Sequence, residues 1–454
     1  MNETRTIARF AHSVAFESIP RYAIDKAIDL LIDQLGIQIA CATLPWSKQI
    51  ARMVEALGGR EDCTIAYYGF KTSPDNAAFL NTCFGHGFEM DDVHMRAIQH
   101  PGCLGVPPAL ALCEKLHLSG RDLLLGMIVA FELVSRVSLV TGAVLLRRGS
   151  NTHPMNGPFG IAAASARLLG LDEEGVLNAI GIAGSHCAAG LREYTQTGGS
   201  LKRLHCGIPA QTGVRSALLA REGLTGPPTI LEGKFGFCRV FCDITELGPM
   251  VQGLGEEYMF VETAFKPYCT VYFIQAPIEA ARRIIGKHAP DPKRIREIVV
   301  GTCEEGILHA GTIVEPRDIA SAQYSTAFSL GLRFVKNGNG MNEYVPRNLA
   351  DPEVLEVARK VRLEVDAESE RVYPVRWMSV VTVVMEDGTR YSERVGALRG
   401  TQELPMTREE IKDKFRALVA GRLSRTNAEA LLERIEDVER ADDVAVIANL
   451  LVAR

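Results

Sequence analysis

Apolar positions recur every three or four residues through about the first 265 residues of the chain, which is the spacing of one helix face. The pattern predicts eight helices, over residues 20–42, 47–57, 74–93, 104–116, 120–140, 158–169, 173–189 and 207–222. Several of these segments, such as "GIAAASARLLG", are rich in alanine and glycine. Small residues allow helices to approach closely, so we expect inner helices of a helical array.

From about residue 266 the pattern changes to alternation and to β-branched residues, which favours strands. Four strands are predicted, over residues 296–303, 360–367, 378–388 and 389–397. The dipeptide Asp387-Gly388 is typical of a hairpin turn between the last two. Two further helices are predicted in this part, over residues 273–287 and 318–337. The pattern therefore indicates a small α+β unit.

Helical spacing returns near the C-terminus, where Thr407 followed by Glu409 and Glu410 is typical of a helix start. The sequence thus predicts a mainly α protein with two domains. We expect a large all-helical domain built from both chain ends, residues 1–265 and 402–454, and a smaller α/β lid domain, residues 266–401, inserted near the C-terminus. The cleft between two such domains is the expected place for a ligand.

Composition excludes several classes of function. The 454 residues, 47% hydrophobic and 23% charged, suit a soluble globular enzyme with more than one domain. The net charge of −5, with both signs mixed, predicts no nucleic-acid surface. The eleven cysteines are scattered singly, which favours buried thiols in a reducing compartment. The most apolar stretch, residues 123–131, is too short to span a bilayer, so a cytoplasmic protein without membrane contact is expected.

The stretch "FGHGFEMDDVHMRAIQHPG", residues 84–102, concentrates the charged residues of an otherwise apolar region. On a helix, His86, Glu89, Asp92 and Arg96 would share one face, either as a solvated surface with an Asp92–Arg96 pair or as a site. A surface helix does not explain the flanking glycines, which weaken a helix unless close packing requires them. A metal site is the other alternative, but HExxH and the calcium-loop pattern are absent, so no metal is expected.

Two further loops carry candidate chemistry. His100 and His153 both precede proline, and a histidine on a stiff loop is suited to proton transfer. Lys202 and Arg203 follow two glycines and precede a helix, which is typical of a carboxylate-binding loop, although solvated cations are the simpler interpretation. No nucleotide-binding glycine motif and no GxSxG nucleophile motif occur.

These blocks resemble the MmgE/PrpD family, which contains 2-methylcitrate dehydratase, cis-aconitate decarboxylase and iminodisuccinate epimerase. The resemblance is carried by "SPDNAAFLNTCFGHGFEMDDVH…HPG", "THPMNGPFGIAAASARLLGL", "GGSLKRLHCGIPAQTGVRSALLAREGLTGP" and "FKPY", in that order. It implies the two domains described above, a homodimer, and a cleft site without metal or organic cofactor that acts on small di- or tricarboxylates.

The resemblance also implies roles for single residues. The acids of the family's D-x-D-D motif correspond to Glu89, Asp91 and Asp92, and the first of them is Glu here instead of Asp. The loop histidines correspond to His100 and His153, and the lysines to Lys202 and Lys266. The lid histidine usual in the family is missing, because Phe273 and Gln275 occupy the matching region.

We therefore expect His100 and His153 to be the acid and base, with Glu89 or Asp92 orienting them and Lys202 holding a carboxylate or donating a proton. The other substrate-binding candidates are Lys266, Asp91, Arg203, Tyr268 and Gln275. The leading hypothesis is a hydro-lyase that dehydrates a 2-methylcitrate-like acid. The alternatives are epimerisation of a substituted succinate, decarboxylation of an aconitate-like acid, and a carboxylate-binding protein without activity.

Overall fold

The computed structural model describes residues 2–187, 190–194 and 199–453. Helices dominate it. In chain order their bounds are α1 Glu3–Ser13, α2 Arg21–Cys41, α3 Pro45–Leu57, α4 Pro74–Gly85, α5 Pro101–Leu116, α6 Gly120–Arg147, α7 Thr152–Leu168, α8 Glu173–Ser185, α9 Leu204–Arg221, α10 Gly248–Val251, α11 Gln275–His288, α12 Glu304–Ala310, α13 Ile319–Gln323, α14 Thr326–Lys336, α15 Pro346–Leu349, α16 Pro352–Arg359, α17 Ala367–Val372, α18 Arg408–Val419, α19 Arg425–Glu436 and α20 Ala445–Ala448. The strands are β1 Cys63–Thr64, β2 Lys71–Thr72, β3 Ile295–Thr302, β4 Val361–Val365, β5 Ser379–Met385 and β6 Arg390–Val395.

The prediction of a mainly α fold with a smaller α/β part is confirmed. Most predicted helices are present with their ends moved by a few residues. Two predictions were wrong in extent. The helix predicted over 74–93 ends at Gly85, and the helix predicted over 318–337 is divided into α13 and α14. The region predicted as 173–189 is helical over Glu173–Ser185, and residues 188–189 lie outside the described residues.

Helices α6, α7 and α9 form the centre of the helical array, and glycines permit their close approach. A Cβ added at Gly160 in α7 would lie 2.7 Å from the backbone nitrogen of Val134 in α6. A Cβ at Gly213 in α9 would lie 2.6 Å from Ile161 Cβ in α7. The small residues in these segments therefore have the packing role that the sequence predicted.

Helix α6 is long and apolar enough to cross a membrane, which corrects the expectation that the apolar stretch is too short. Of its most apolar 18-residue window, however, 89% is buried inside the molecule. A central helix of a packed core has these properties.

Strands β3 to β6 form a four-stranded sheet in the order β4-β3-β5-β6. The β3–β4 pair is parallel, with Val300 opposite Leu363, and the other pairs are antiparallel, with Val300 opposite Val381. Helix α11 packs against β5 and β6. The apolar alternation seen in the sequence thus belongs to a sheet with one face covered by a helix.

Helix α18 packs against α2 from the other end of the chain. Phe415 lies against Gly36, where an added Cβ would be 2.9 Å from the ring. Ion pairs join Arg408 to Asp29 at 2.6 Å and Lys414 to Asp33 at 2.7 Å. The predicted capping pattern is present, since Thr407 and Glu410 exchange side-chain to backbone hydrogen bonds. These contacts support the prediction that both chain ends build the helical domain, and we retain 1–265, 266–401 and 402–454 as proposed boundaries.

Candidate active site

A cavity lies where the helical part of the chain meets residues 266–401, which we call the lid. Its volume is about 80 Å³, several times the roughly 10–15 Å³ that one water requires. The helical part contributes polar groups to the wall, and the lid contributes mainly aromatic ones. The residues that line it include Glu89, His100, His153, Arg192, Lys202, Lys266, Phe273, His309, Tyr324 and Trp377.

The segment between α4 and α5, residues 86–100, is an irregular buried loop and not the helix that the sequence predicted. Glu89 and Ile98 have φ values of 57° and 53°, which a helix does not allow. Arg96 pairs with Glu262 at 2.8 Å, so the expected Asp92–Arg96 pair is absent. This loop turns several polar side chains of the stretch inward.

The glycines of this stretch have a packing reason. A Cβ at Gly85 would lie 2.0 Å from Gln34 Oε1, and a Cβ at Gly87 would lie 2.3 Å from Cys41 Cβ. Both contacts are with α2, so the loop is pressed against that helix. The loss of helix stability expected from these glycines is offset by the close approach that they permit.

The two histidines expected in loops lie instead at helix starts. His100 is the residue before the first turn of α5, and His153 is the second residue of α7. Their ring centroids are 4.6 Å apart, although the residues are distant in the chain. His86 joins them, with its ring 5.0 Å from His100 and 5.5 Å from His153. All three are buried.

Asp91 contacts two of these histidines, whereas Glu89 or Asp92 was expected to orient them. Its Oδ2 atom lies 2.7 Å from His86 Nδ1 and 3.0 Å from His100 Nδ1. Burial raises the pKa of Asp91, but His100 and His86 lower it well below its usual value. Burial lowers the pKa of His86, and Asp91 reverses this and raises it to about 9. His86 is therefore an imidazolium paired with a carboxylate.

His100 and His153 remain neutral. Burial lowers the pKa of His100 to about 4 in spite of Asp91, and burial together with His100 and His86 lowers the pKa of His153 well below its usual value. His100 Nδ1 donates to the Asp92 carbonyl. Its Nε2 atom therefore carries the free electron pair of a base.

Gln99, which the sequence did not single out, sets the proton position on His153. The Gln99 amide nitrogen donates to Ser138 Oγ at 3.2 Å and to the Thr152 carbonyl at 3.1 Å. Its Oε1 atom therefore faces His153 Nδ1, 2.8 Å away, and accepts a hydrogen bond from it. As a result His153, like His100, has an unprotonated Nε2 atom. Both neutral histidines are suited to accept a proton.

Glu89 is surrounded by three cations. Lys202 Nζ contacts Glu89 Oε1, Arg203 lies 3.0 Å from the same atom, and Lys266 Nζ lies 3.8 Å from Oε2. Burial raises the pKa of Glu89, but Lys202, Lys266 and Arg203 reverse this and lower it below its usual value. Burial lowers the pKa of Lys266, and the charge of Lys202 lowers it further. One carboxylate against three cations leaves a positive site for anions.

Asp92 does not line the cavity. Its Oδ2 atom accepts a hydrogen bond of 2.9 Å from the Gly102 backbone nitrogen, at the start of α5. Burial and the neighbouring charge of Asp91 raise its pKa to about 8. Asp92 is therefore a neutral group that joins the loop to α5.

Four of the substrate-binding candidates also lie outside the cavity wall: Asp91, described above, and Arg203, Tyr268 and Gln275. Arg203 donates to Gln323 Oε1 and lies over the Trp46 ring. The Tyr268 hydroxyl donates to Glu279 at 2.7 Å. The Gln275 amide nitrogen donates to Thr270 Oγ1 and to the Tyr268 carbonyl, and the amide oxygen accepts a hydrogen bond from the Tyr268 backbone nitrogen. Their contacts hold the lid and the loop in place, and a contact with substrate stays a prediction.

The lid does contribute a histidine, His309, which the sequence did not point to. It lies in α12, next to Phe273 with ring centroids 5.2 Å apart. Arg192 Nη2 is 2.5 Å from His309 Nδ1. Neither Arg192 nor His309 belongs to a recognisable motif. The two residues are 117 positions apart in the sequence, so no local pattern predicts their contact.

Within the part of the chain that the structure describes, two groups of side chains have potential metal-ligand atoms within 4.8 Å of one another: His86 with His153 and Cys206, and His86 with Asp91 and Cys103. Both depend on His86, whose proton a metal would have to displace because only neutral imidazole is a ligand. The charge of His86 thus opposes metal binding at this position.

The sequence matches the family models of the MmgE/PrpD N-terminal domain over residues 5–249 and the MmgE/PrpD C-terminal domain over residues 268–440. Cis-aconitate decarboxylase of Aspergillus terreus is 28% identical, with 99% of this chain and 95% of the relative covered. The cis-aconitate decarboxylase-like protein oryM of Aspergillus oryzae is 26% identical, with 99% and 97% covered. Cis-aconitate decarboxylase of Homo sapiens is 24% identical, with 99% and 94% covered.

Proposed function

The chain belongs to the MmgE/PrpD family, and on this premise we propose that it is a lyase that acts on a small di- or tricarboxylate. The observation that carries the proposal is the meeting of two neutral histidines with two lysines in the wall of one cavity. Proton transfer at a carbon next to a carboxylate needs a base of this kind and cations that stabilise the developing charge.

The residues divide into two roles. His153 and His100 present unprotonated Nε2 atoms, which accept the proton from carbon or return it. Lys202 and Lys266 bind the substrate carboxylates and stabilise negative charge as it spreads from the reacting carbon. Glu89 keeps both lysines in position. Because Glu89, Lys202 and Lys266 are buried, these charge interactions are stronger than at a surface.

We propose loss of carbon dioxide from an unsaturated tricarboxylate as the first reaction to test. The names of the relatives support it, and so does the apolar wall formed by Phe273 and Trp377, whose rings stack at 4.2 Å. An apolar wall destabilises a charged carboxylate placed against it and favours the neutral carbon dioxide that forms from this carboxylate. The carbon–carbon bond breaks, carbon dioxide leaves, and the electron pair of that bond remains on the substrate. A lysine ammonium gives one proton to carbon and takes up a proton from water afterwards.

Dehydration of a hydroxy-tricarboxylate is the second candidate, and the lowered pKa of Lys266 favours it. A histidine removes the proton from carbon, and a lysine with a lowered pKa gives a proton to the leaving hydroxyl, so that water departs. Epimerisation of a substituted succinate needs only removal and return of the same proton. No organic or metal cofactor is part of these proposals.

The test is incubation of the protein in deuterium oxide with cis-aconitate, citrate, 2-methylcitrate and substituted succinates, followed by proton NMR and carbon dioxide release. Decarboxylation gives carbon dioxide with deuterium in the product, dehydration gives an alkene without carbon dioxide, and epimerisation gives exchange alone. If no acid exchanges a carbon-bound proton although the acids bind, the protein is a carboxylate-binding protein and the lyase proposal is wrong.

We also propose the homodimer that the family resemblance implies. Light scattering of the purified protein measures it directly: a mass near twice that of the 49.6 kDa chain supports a dimer. A monomer mass at micromolar concentration contradicts it.

A further inference from the structure

Arg192 is a cation on the cavity wall that has no carboxylate partner among the described residues. Lys202, Arg203 and Lys266 share Glu89, whereas the Arg192 side chain contacts uncharged acceptors. Its Nη1 atom donates to the Leu146 carbonyl at 2.9 Å, and Nη2 donates to His309 Nδ1 at 2.5 Å. A guanidinium has five N–H groups, so several remain for a ligand.

The backbone holds Arg192 next to the start of α7. The Arg192 nitrogen donates to the Gly149 carbonyl at 2.9 Å, and Leu191 forms a bridge with Ser150. Asn151 donates from its backbone to Gly190 at 2.7 Å. His153 follows Ser150 by three residues, at the start of α7. These bonds therefore fix the position of Arg192 relative to His153.

The contact with Arg192 determines the proton position on His309. A guanidinium can only donate, so His309 Nδ1 accepts and its proton is on Nε2. Burial, Arg192 and Lys202 lower the pKa of His309 to about 3, so the ring stays neutral. The ring is packed between Phe273 at 5.2 Å and Tyr324 at 5.6 Å. His309 is therefore a fixed hydrogen-bond donor, opposite in tautomer to the accepting His153.

We propose that Arg192 binds one carboxylate of the substrate and that His309 donates from Nε2 to another oxygen of the same substrate. The two residues form a clamp separate from the lysine site around Glu89. The guanidinium N–H groups that remain bind a carboxylate, and the N–H on the far side of the His309 ring binds a second oxygen, so the pair recognises an anion and no cation. The clamp takes the place of the lid histidine that is missing near Phe273, and it selects substrates with a carboxylate at the lid end. This inference rests on the proposed function for the identity of the substrate but not for the binding itself.

The test uses propane-1,2,3-tricarboxylate, a saturated acid that has neither a double bond nor a hydroxyl to react. Titration calorimetry is expected to show binding weakened at least about 30-fold in Arg192→Gln, the range for removing one partner of a buried charged pair. His309→Phe weakens it about 10-fold, and His309→Gln, which keeps an N–H donor, weakens it less. Arg96→Gln, which removes a surface pair with Glu262, serves as the matched control with unchanged affinity.

A second probe, succinate, locates the carboxylate. If the clamp binds a carboxylate that succinate lacks, the effects of removing Arg192 and of removing that carboxylate are not additive. Arg192→Gln affinity for propane-1,2,3-tricarboxylate equal to that of the control overturns the clamp. Nitrogen NMR of the free protein gives a reading without ligand: an unprotonated Nδ1 on His309 supports the clamp, and an unprotonated Nε2 contradicts it.

The two proposals fail in different ways. Arg192-dependent binding without turnover of any acid leaves the clamp standing and rejects the lyase. Turnover with full affinity in both Arg192→Gln and His309→Phe rejects the clamp and leaves the lyase standing.

Discussion

At the scale of single residues, Asp91 gives two neighbouring histidines opposite charge states. Both lie within 3.0 Å of its carboxylate, yet the pKa of His86 is raised to about 9 and that of His100 is lowered to about 4. One carboxylate carries one negative charge and compensates one buried imidazolium. Once His86 is charged, a proton on His100 would be a second buried cation beside Lys266. His100 therefore remains a base.

Replacing His153 by alanine is expected to lower kcat by roughly a hundred- to ten-thousandfold, the range for a positioned acid or base. Activity is measured on whichever acid is turned over, and circular dichroism checks that this buried position still folds. His288→Ala, at the exposed end of α11, is the control with full activity. Unchanged kcat in His153→Ala contradicts the role assigned to Nε2.

Replacing Asp92 by asparagine is expected to change how stability depends on pH. The pKa of Asp92 is about 8 in the folded chain and 3.8 ordinarily, so folding takes up a proton between these values. The free energy of unfolding of the native chain then falls as pH rises, and asparagine has no such proton. Between pH 5 and 8 the free energy of unfolding of the variant is expected to rise by at least about 1.4 kcal/mol relative to that of the native chain. This is the free energy that corresponds to a pKa shift of one unit.

Urea unfolding at the two pH values measures this difference. Asp413→Asn, on the exposed side of α18, is the control. A difference between the Asp92 variant and the native chain that does not change with pH contradicts a neutral Asp92.

At the scale of elements, the sequence predicted regular helices and strands well because their periodicity is local. The loop 86–100 was mistaken for helix because His86, Glu89 and Asp92 happen to fall at helical spacing. What decides its shape is the contact of Gly85 and Gly87 with α2, which no local pattern shows. His100, His153 and Lys202 were found through motifs. His309 was missed because its chemistry depends on Arg192, far away in the chain.

The packing of α7 on α6 predicts a large effect of one methyl group. In Gly160→Ala the new Cβ would lie 2.7 Å from the Val134 nitrogen and 3.0 Å from the Ala130 carbonyl. Because these are backbone atoms, the helices must separate, and we expect a loss of about 1–3 kcal/mol. Urea unfolding measures it.

Gly286→Ala is the matched control within α11, where an added Cβ meets nothing within 4 Å. Alanine there is expected to stabilise by about 0.5–1 kcal/mol through helix propensity. Equal effects at the two glycines contradict the close approach of α6 and α7.

At the scale of the whole molecule, the buried histidines predict a stability maximum near pH 6.5. The pKa values of His94, His100 and His205 are about 4, and that of His309 is about 3. As the pH falls below 6.5, these histidines take up protons in the unfolded chain before they do so in the folded chain. The folded chain therefore loses stability. His86 has a pKa of about 9, so its contribution to the stability of the folded chain is complete below pH 6.5 and is lost as the pH rises towards 9.

Thermal unfolding between pH 4.5 and 8 is expected to show Tm decreasing on both sides of the maximum. Above pH 8 the buried Lys26, whose pKa burial lowers to about 8, acts in the opposite direction. A Tm that rises steadily from pH 6.5 to 8 contradicts the charge assigned to His86.

The return of α18 onto α2 has a consequence for biosynthesis. Arg408 and Asp29 meet although 379 positions separate them, and Phe415 covers Gly36 nearby. At ~5–20 residues per second, the ribosome needs on the order of 20–80 s to make the chain between them. During that time the emerging α2 shows an apolar face whose natural cover has not been translated. Chaperone occupancy of the nascent chain is therefore expected to persist until α18 has left the exit tunnel.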